Sequence, residues 1–272
     1  MTLPSTPTVR TVAVPGAHLH YEIRGKGPLL LVIGAPMASA DFAPVADALA
    51  GDHTVVTYDP RGYAGSTVDD PEAPSGVEER ADDVMAILDD LGAESADLFG
   101  SSGGAVTGLA LVTRHPGRVR TLVAHEPPVL ELLPDATEQR ANTDAILDTF
   151  HRDGFGAAWM HFMSNAGFDL SADDAPSGPA EPSPDEIRQA ARFFEIDLRP
   201  TSQYLPDIDA LKNSSSRVVI GIGVDSGRLL TYRTSVALAN LLGSTPVEFP
   251  GDHGGFMGAP VEFADKLRTV LT

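Results

Sequence analysis

Residues 95–111 read SADLFGSSGGAVTGLAL, and the middle of this stretch decides how the rest of the chain is read. Leu98 and Phe99 form a short apolar, strand-like run that stops at Gly100. Two serines and two glycines follow, and an apolar run compatible with a helix begins at Ala105. Small residues crowd together where a backbone turns too sharply for a Cβ. Gly100-Ser101-Ser102-Gly103-Gly104 fits G-x-S-x-G, the pattern of a serine held with its hydroxyl exposed on a strand-to-helix turn. The glycines flank Ser102 and not Ser101, so Ser102 is the candidate nucleophile. The alternative is a glycine-rich turn with an idle serine. A phosphate-binding loop fits poorly, because the G-K-[ST] ending is missing.

A serine hydroxyl needs a general base to become a nucleophile. Of the eight histidines, His253 is the best placed, in VEFPGDHGGF between the last apolar run and the last helical one. Loops at the carboxyl ends of parallel strands face one crevice, so His253 and Ser102 are expected on the same rim. A loop histidine bonded to backbone is the alternative. His18 and His20 alternate along a candidate edge strand, and His151 and His161 fall in helical stretches. Asp252 is read as a turn former.

Outward from the serine turn, strand-like and helix-like runs alternate. LLLVI (29–33) precedes a helical pattern over 42–49. HTVVTY (53–58) precedes the loop DPRGYAGS. Val77, Ala81, Val84, Met85 and Leu88 recur at helical spacing. Leu122–Ala124, RVVIGIG (217–223) and TPVEF (245–249) continue the series, ending in a helix near 259–271. This alternation predicts an α/β protein with a doubly wound, mostly parallel sheet. Segments 9–15 and 18–24, joined at Pro15-Gly16, predict an antiparallel hairpin at one edge. The stretch 129–212 breaks the alternation with three helical runs and the Pro- and Ser-rich SADDAPSGPAEPSP, read as a mobile loop. Residues 129–212 are therefore expected to form a helical cap on a core made of 1–128 and 213–272.

Composition narrows the function. The 272 residues contain no cysteine, which excludes disulfides, thiolate metal sites and a cysteine nucleophile. A formal net charge of −19 argues against nucleic acid and anionic membranes as partners. The first residues lack a basic region followed by an apolar core, and no apolar run approaches the roughly 20 residues that span a bilayer. A cytoplasmic protein is expected, with no metal and no cofactor; a homodimer is compatible with the sequence. GIGVDSG misses the dinucleotide spacing G-x-G-x-x-G by one residue. Asp59 and Arg61 in DPRGYAGS are expected to form a structural ion pair.

GAPM after the third strand, DPRGYAGS after the fourth, GSSGG after the fifth and PGDHGGF near the end together resemble the α/β-hydrolase fold family over nearly the whole chain. The resemblance implies an eight-stranded sheet with the cap inserted after the sixth strand. It implies an oxyanion hole from the backbone N–H groups of Ala35 and Gly103. In this family the acid usually stands three residues after a glycine that follows the penultimate strand. Here Gly223-Val224-Asp225-Ser226 puts Ser226 at that place and Asp225 one residue early. Some members, notably a subgroup of haloalkane dehalogenases, carry the acid at the strand end after the nucleophile helix. Glu126, in LVAHEPPV and 24 residues beyond Ser102, matches that spacing. Glu126 is the preferred acid and Asp225 the alternative. Those dehalogenases use an aspartate nucleophile, so dehalogenation does not carry over to Ser102.

The expected function is a cofactor-independent serine hydrolase acting on a small or medium ester, thioester or lactone, with a small apolar molecule as its partner. Perhydrolysis or C–C bond hydrolysis by the same triad is the alternative, and a ligand-binding protein without turnover is the second. Met37, Trp159, Phe162 and Met163 are candidates for the acyl pocket. Phe150, Met160, Phe193 and Phe194 belong to the same apolar stripe, most of which is expected in the cap's own core.

Overall fold

The computed structural model describes residues 6–169 and 183–272. Strands β1 (Thr8–Val14) and β2 (Ala17–Arg24) form an antiparallel hairpin, with Val14 opposite Ala17 across the Pro15-Gly16 turn. Gly16 has φ +74°, the left-handed conformation that such a two-residue turn requires. Strands β3 (Leu29–Ile33), β4 (Thr54–Tyr58), β6 (Ala96–Ser101), β7 (Val119–His125), β8 (Arg217–Gly223) and β9 (Val247–Phe249) pair in parallel. The sheet order is β1-β2-β4-β3-β6-β7-β8-β9. These are the eight expected strands. A ninth, β5 (Thr67–Val68), pairs antiparallel with β2 and is too short to leave a periodic signal.

Alternation along the strands divides the core into two layers. In β3, Leu31 and Ile33 pack on one face with α2 (Val77–Asp90), α3 (Gly103–Arg114) and α9 (Leu230–Leu242). Leu30 and Val32 pack on the other with α1 (Ser39–Leu49), α10 (Gly255–Gly258) and α11 (Pro260–Leu271). A period of two along a doubly covered strand produces the near-continuous apolar runs visible in the sequence. The chain leaves β3 toward β4 on one side and reaches β6 on the other. A crevice therefore opens beyond the carboxyl ends of β3 and β6, where the winding reverses.

Between β7 and β8 the chain is helical among the described residues. It forms α4 (Ala136–Asp153), α5 (Phe155–Ala166), α6 (Pro184–Arg192), a π-helical turn over Phe193–Asp197, α7 (Leu198–Ser202) and α8 (Ile208–Asn213). Ser183 caps α6 by accepting the Glu186 N–H, while the Glu186 carboxylate accepts the Ser183 N–H. Ile146, Leu147, Ala158, Phe194 and Leu198 make a third, separate apolar cluster within this segment. Most of the Pro- and Ser-rich stretch lies outside the described residues.

The expected Asp59–Arg61 pair does not form. Asp59 accepts the backbone N–H groups of Ser39 and Gly65, fixing the loop after β4. Arg61 instead makes a two-pronged pair with Asp83 on α2, at 2.7 and 2.5 Å, and contacts Glu79 at 2.5 Å. Arg61 and Asp83 are both buried, so the guanidinium fork requires a fully matched carboxylate.

Candidate active site

The serine turn is strained in the way its glycines suggest. Ser102 has φ +56° and ψ −124°, a region almost reserved for glycine. Its N–H donates to the His125 carbonyl at 2.9 Å, which pins the turn to the end of β7. A Cβ on Gly100 would come within 2.5 Å of the Gly104 carbonyl oxygen, and one on Gly104 within 2.4 Å of the Ile33 oxygen. No larger residue fits either place, so the strand can turn directly into α3. Gly103 opens α3, and N–H groups of a helix's first turn have no partner within the helix. A Cβ on Gly103 would stand 2.5 Å from the Ala35 carbonyl oxygen. The two expected oxyanion donors thus sit on adjoining segments.

His253 lies in the loop between β9 and α10. Its Nδ1 is 2.6 Å from Glu126 Oε2. A carboxylate only accepts, so Nδ1 carries a proton, and in the neutral imidazole the lone pair then sits on Nε2. Glu126 stands just past β7 with φ +50° and is wholly buried. Its Oε1 accepts the Gly223 N–H at 2.8 Å, and Oε2 also accepts the Thr231 hydroxyl at 2.9 Å. Burial raises the pKa of Glu126, but the hydrogen bond from His253 outweighs it together with the surrounding donors. The carboxyl is held down at about 2. The alternative acid, Asp225, is exposed, and its backbone N–H is spent on Gly251. Asp252 Oδ1 accepts the Gly254 N–H, the turn-forming bond typical of its residue type.

Behind His253 lies His125, fully buried among Phe99, Phe249, Phe256 and Phe263. Desolvation pushes its imidazole down to about 4, so it is neutral at neutral pH. Its Nδ1 meets Ser101 Oγ at 3.3 Å. The remaining histidines fall elsewhere. His18 and His20 lie on β2, while His151 pairs with Glu195 and His161 with Thr149 in the segment between β7 and β8.

Ser102, Gly103, Ala35, Met37 and His253 line one cavity of about 390 Å³. No hydrogen bond joins the Ser102 hydroxyl to the imidazole among the described residues. Such bonds are commonly long without substrate and tighten when it binds. Trp159, Phe162, Met163 and Ala166 line the cavity from α5, at the i, i+3, i+4, i+7 spacing of one helix face. Phe193 joins them, whereas Phe150 and Phe194 pack in the cluster between α4, α5 and the π turn and Met160 is exposed. Besides Met37, four of the seven stripe residues between Phe150 and Phe194 therefore face the cavity, more than the sequence reading assigned to it. α5 lies between the cavity and α4, so its apolar residues divide between the two.

Sequence reasoning missed much of the polar lining of the cavity, including Arg80, Asp197, Thr201 and Ser202, with Thr143, Asn165 and Thr231. The signal was present in α2. Arg80 stands between Val77 and Val84 on the same face as the apolar residues, where a charge is out of place. It also missed Gly223 and Thr231 as donors to Glu126.

A family model described as the alpha/beta hydrolase fold matches residues 27–159. An uncharacterized hydrolase of Bacillus subtilis, YraK, is 34% identical over 267 residues, covering 96% of this chain and 95% of that protein. A putative carbamate hydrolase, RutD of Azorhizobium caulinodans, is 37% identical over 107 residues, 39% of this chain and 40% of its own. Among solved structures, a thermophilic esterase from Thermogutta terrifontis superposes with a TM-score of 0.73 at 20% identity, covering 98% of each chain. An enol-lactonase from Burkholderia xenovorans gives 0.65 at 20% identity, over 96% of this chain and 99% of its own.

Proposed function

The chain belongs to the alpha/beta hydrolase family, and from that premise we propose that it cleaves a small or medium carboxylic ester, thioester or lactone through an acyl-enzyme on Ser102. The observation that carries this reading is the Glu126–His253 hydrogen bond of 2.6 Å beside a cavity that Ser102 also lines. His253 Nε2 takes the Ser102 proton, and the alkoxide attacks the substrate carbonyl carbon. The N–H groups of Ala35 and Gly103 receive the oxyanion, each stabilising the transition state by about 3–4 kcal/mol. His253 then gives its proton to the leaving oxygen or sulfur as the bond to the acyl carbon breaks. Water, deprotonated by the same imidazole, releases the acid. Glu126 orients the imidazole and stabilises its cation without taking a proton, consistent with a carboxyl held far below neutral pH. Residues 129–212 act as the cap, and the α5 face receives the acyl chain.

The test is a fluorophosphonate label followed by p-nitrophenyl esters from acetate to decanoate. Modification at Ser102 with turnover of at least one ester is expected. An unreactive Ser102 would overturn the assignment in favour of a binding protein. Absence of ester turnover with peracid formed from acetate and peroxide would favour perhydrolysis.

A further inference from the structure

The cavity is apolar over most of its wall, yet one buried guanidinium reaches it. Arg80 projects from α2, and its side chain is only 2% exposed. Its Nη2 donates to Thr201 Oγ1 at 2.7 Å, and its Nη1 lies 3.4 Å from Asp197 Oδ1. Its buried Nε has no hydrogen-bond partner among the described residues. Asp197 is already well served. It accepts the Tyr63 hydroxyl at 2.6 Å, and Arg192 Nε stands 3.7 Å from it. Two guanidiniums thus share one carboxylate. Tying α2 to the helices above it would need only the Thr201 and Asp197 contacts. That tie does not account for the unused Nε donor, which is expensive to bury unless something pairs with it.

We propose that Arg80, with the Thr201 hydroxyl beside it, binds a carboxylate at the far end of the acyl chain, so that the preferred substrates are half-esters of dicarboxylic acids. The proposal rests on the ester-hydrolase reading above. A guanidinium presents its N–H groups as a planar fork that matches a carboxylate, and an apolar wall strengthens that bond by excluding water. The apolar wall, Trp159 and Phe162 included, packs the methylene chain between the reacting carbonyl and the terminal carboxylate.

Carbon-matched p-nitrophenyl esters test this: the monoesters of glutarate, adipate and pimelate against pentanoate, hexanoate and heptanoate. For the best pair, wild-type kcat/KM should favour the acidic ester more than about tenfold, the range of a charge-assisted hydrogen bond. A ratio of about ten or less overturns the proposal. Arg80→Met should lower that ratio at least about tenfold, and an unmoved ratio in the folded variant also overturns it. Should Arg80→Met fail to fold, Arg80→Lys keeps the charge without the fork and should lower the ratio at least about threefold. If Ser102 takes no fluorophosphonate and no ester turns over, the ester-hydrolase reading fails on its own. Calorimetric titration with monomethyl adipate and methyl hexanoate still reads the subsite then, and equal affinity for the two overturns it.

Discussion

Ser102 occupies a backbone conformation that costs about 1–3 kcal/mol for any residue with a Cβ. The strain is offset by the glycines and strand ends that hold the turn in place. Ser102→Ala should therefore abolish turnover while the fold persists, and retained activity would remove Ser102 as nucleophile. Ser102→Gly should be equally inactive yet more stable than Ser102→Ala, by about 1 kcal/mol in urea denaturation, because glycine relieves the strain. The acid is tested by a pair of substitutions. Glu126→Gln should lower kcat more than about a hundredfold, since loss of the acid in a known serine triad costs about ten-thousandfold. Asp225→Asn should change kcat less than about threefold, because the exposed carboxylate makes no bond to the imidazole. The reverse order would move the acid to Asp225.

At the scale of elements, the turns between strands and helices fix the site, and each depends on a polar anchor. The loop after β4 is held to α2 by Arg61 and Asp83, both buried. Arg61→Met removes one partner and strands the other. It should cost about 3–5 kcal/mol in unfolding free energy, the penalty of an uncompensated buried charge. A loss under about 1 kcal/mol by urea denaturation would mean the pair is screened in solution. In α5, one face lines the cavity while Ala158, turned the other way, packs against Phe194 and Ile146. A short helix that must serve two surfaces cannot reserve its aromatics for either, which is why residue type alone misjudged their division.

For the whole molecule, buried titratable groups make stability depend on pH. His125 binds a proton at about 4 in the folded chain, below the ordinary value of 6.5. The unfolded chain therefore takes up that proton first, and stability falls as pH drops from about 6.5 to 4, by about 3 kcal/mol in total. Glu126 is depressed from 4.5 to about 2, so its contribution is present above about 4.5 and is lost as pH falls toward 2. Denaturant midpoints measured across this range should show both slopes, and His125→Leu should flatten the upper one. A net charge of −19 also repels anions. The kcat/KM of an acidic half-ester should therefore rise with salt while that of its neutral partner stays flat, in assays from about 0.01 to 0.15 M ionic strength.

The serine turn, the alternating apolar runs and the hairpin at Pro15-Gly16 were legible because each is written in neighbouring residues. Steric limits at glycine and the period of a strand act over a few positions, so they leave local marks that a single chain displays. The same local reading put Asp59 with Arg61, since it had no means of seeing Asp83 across the loop. It could rank Glu126 and Asp225 only by resemblance and by the two prolines that follow Glu126, because a hydrogen bond spanning 127 residues depends on where β7 and the last loop come to rest. The sequence by itself determined the fold and the candidate nucleophile and base. Only the tertiary structure decided which carboxylate meets the imidazole and that a buried guanidinium faces the cavity, because both depend on distances between segments that the chain brings together only when it folds.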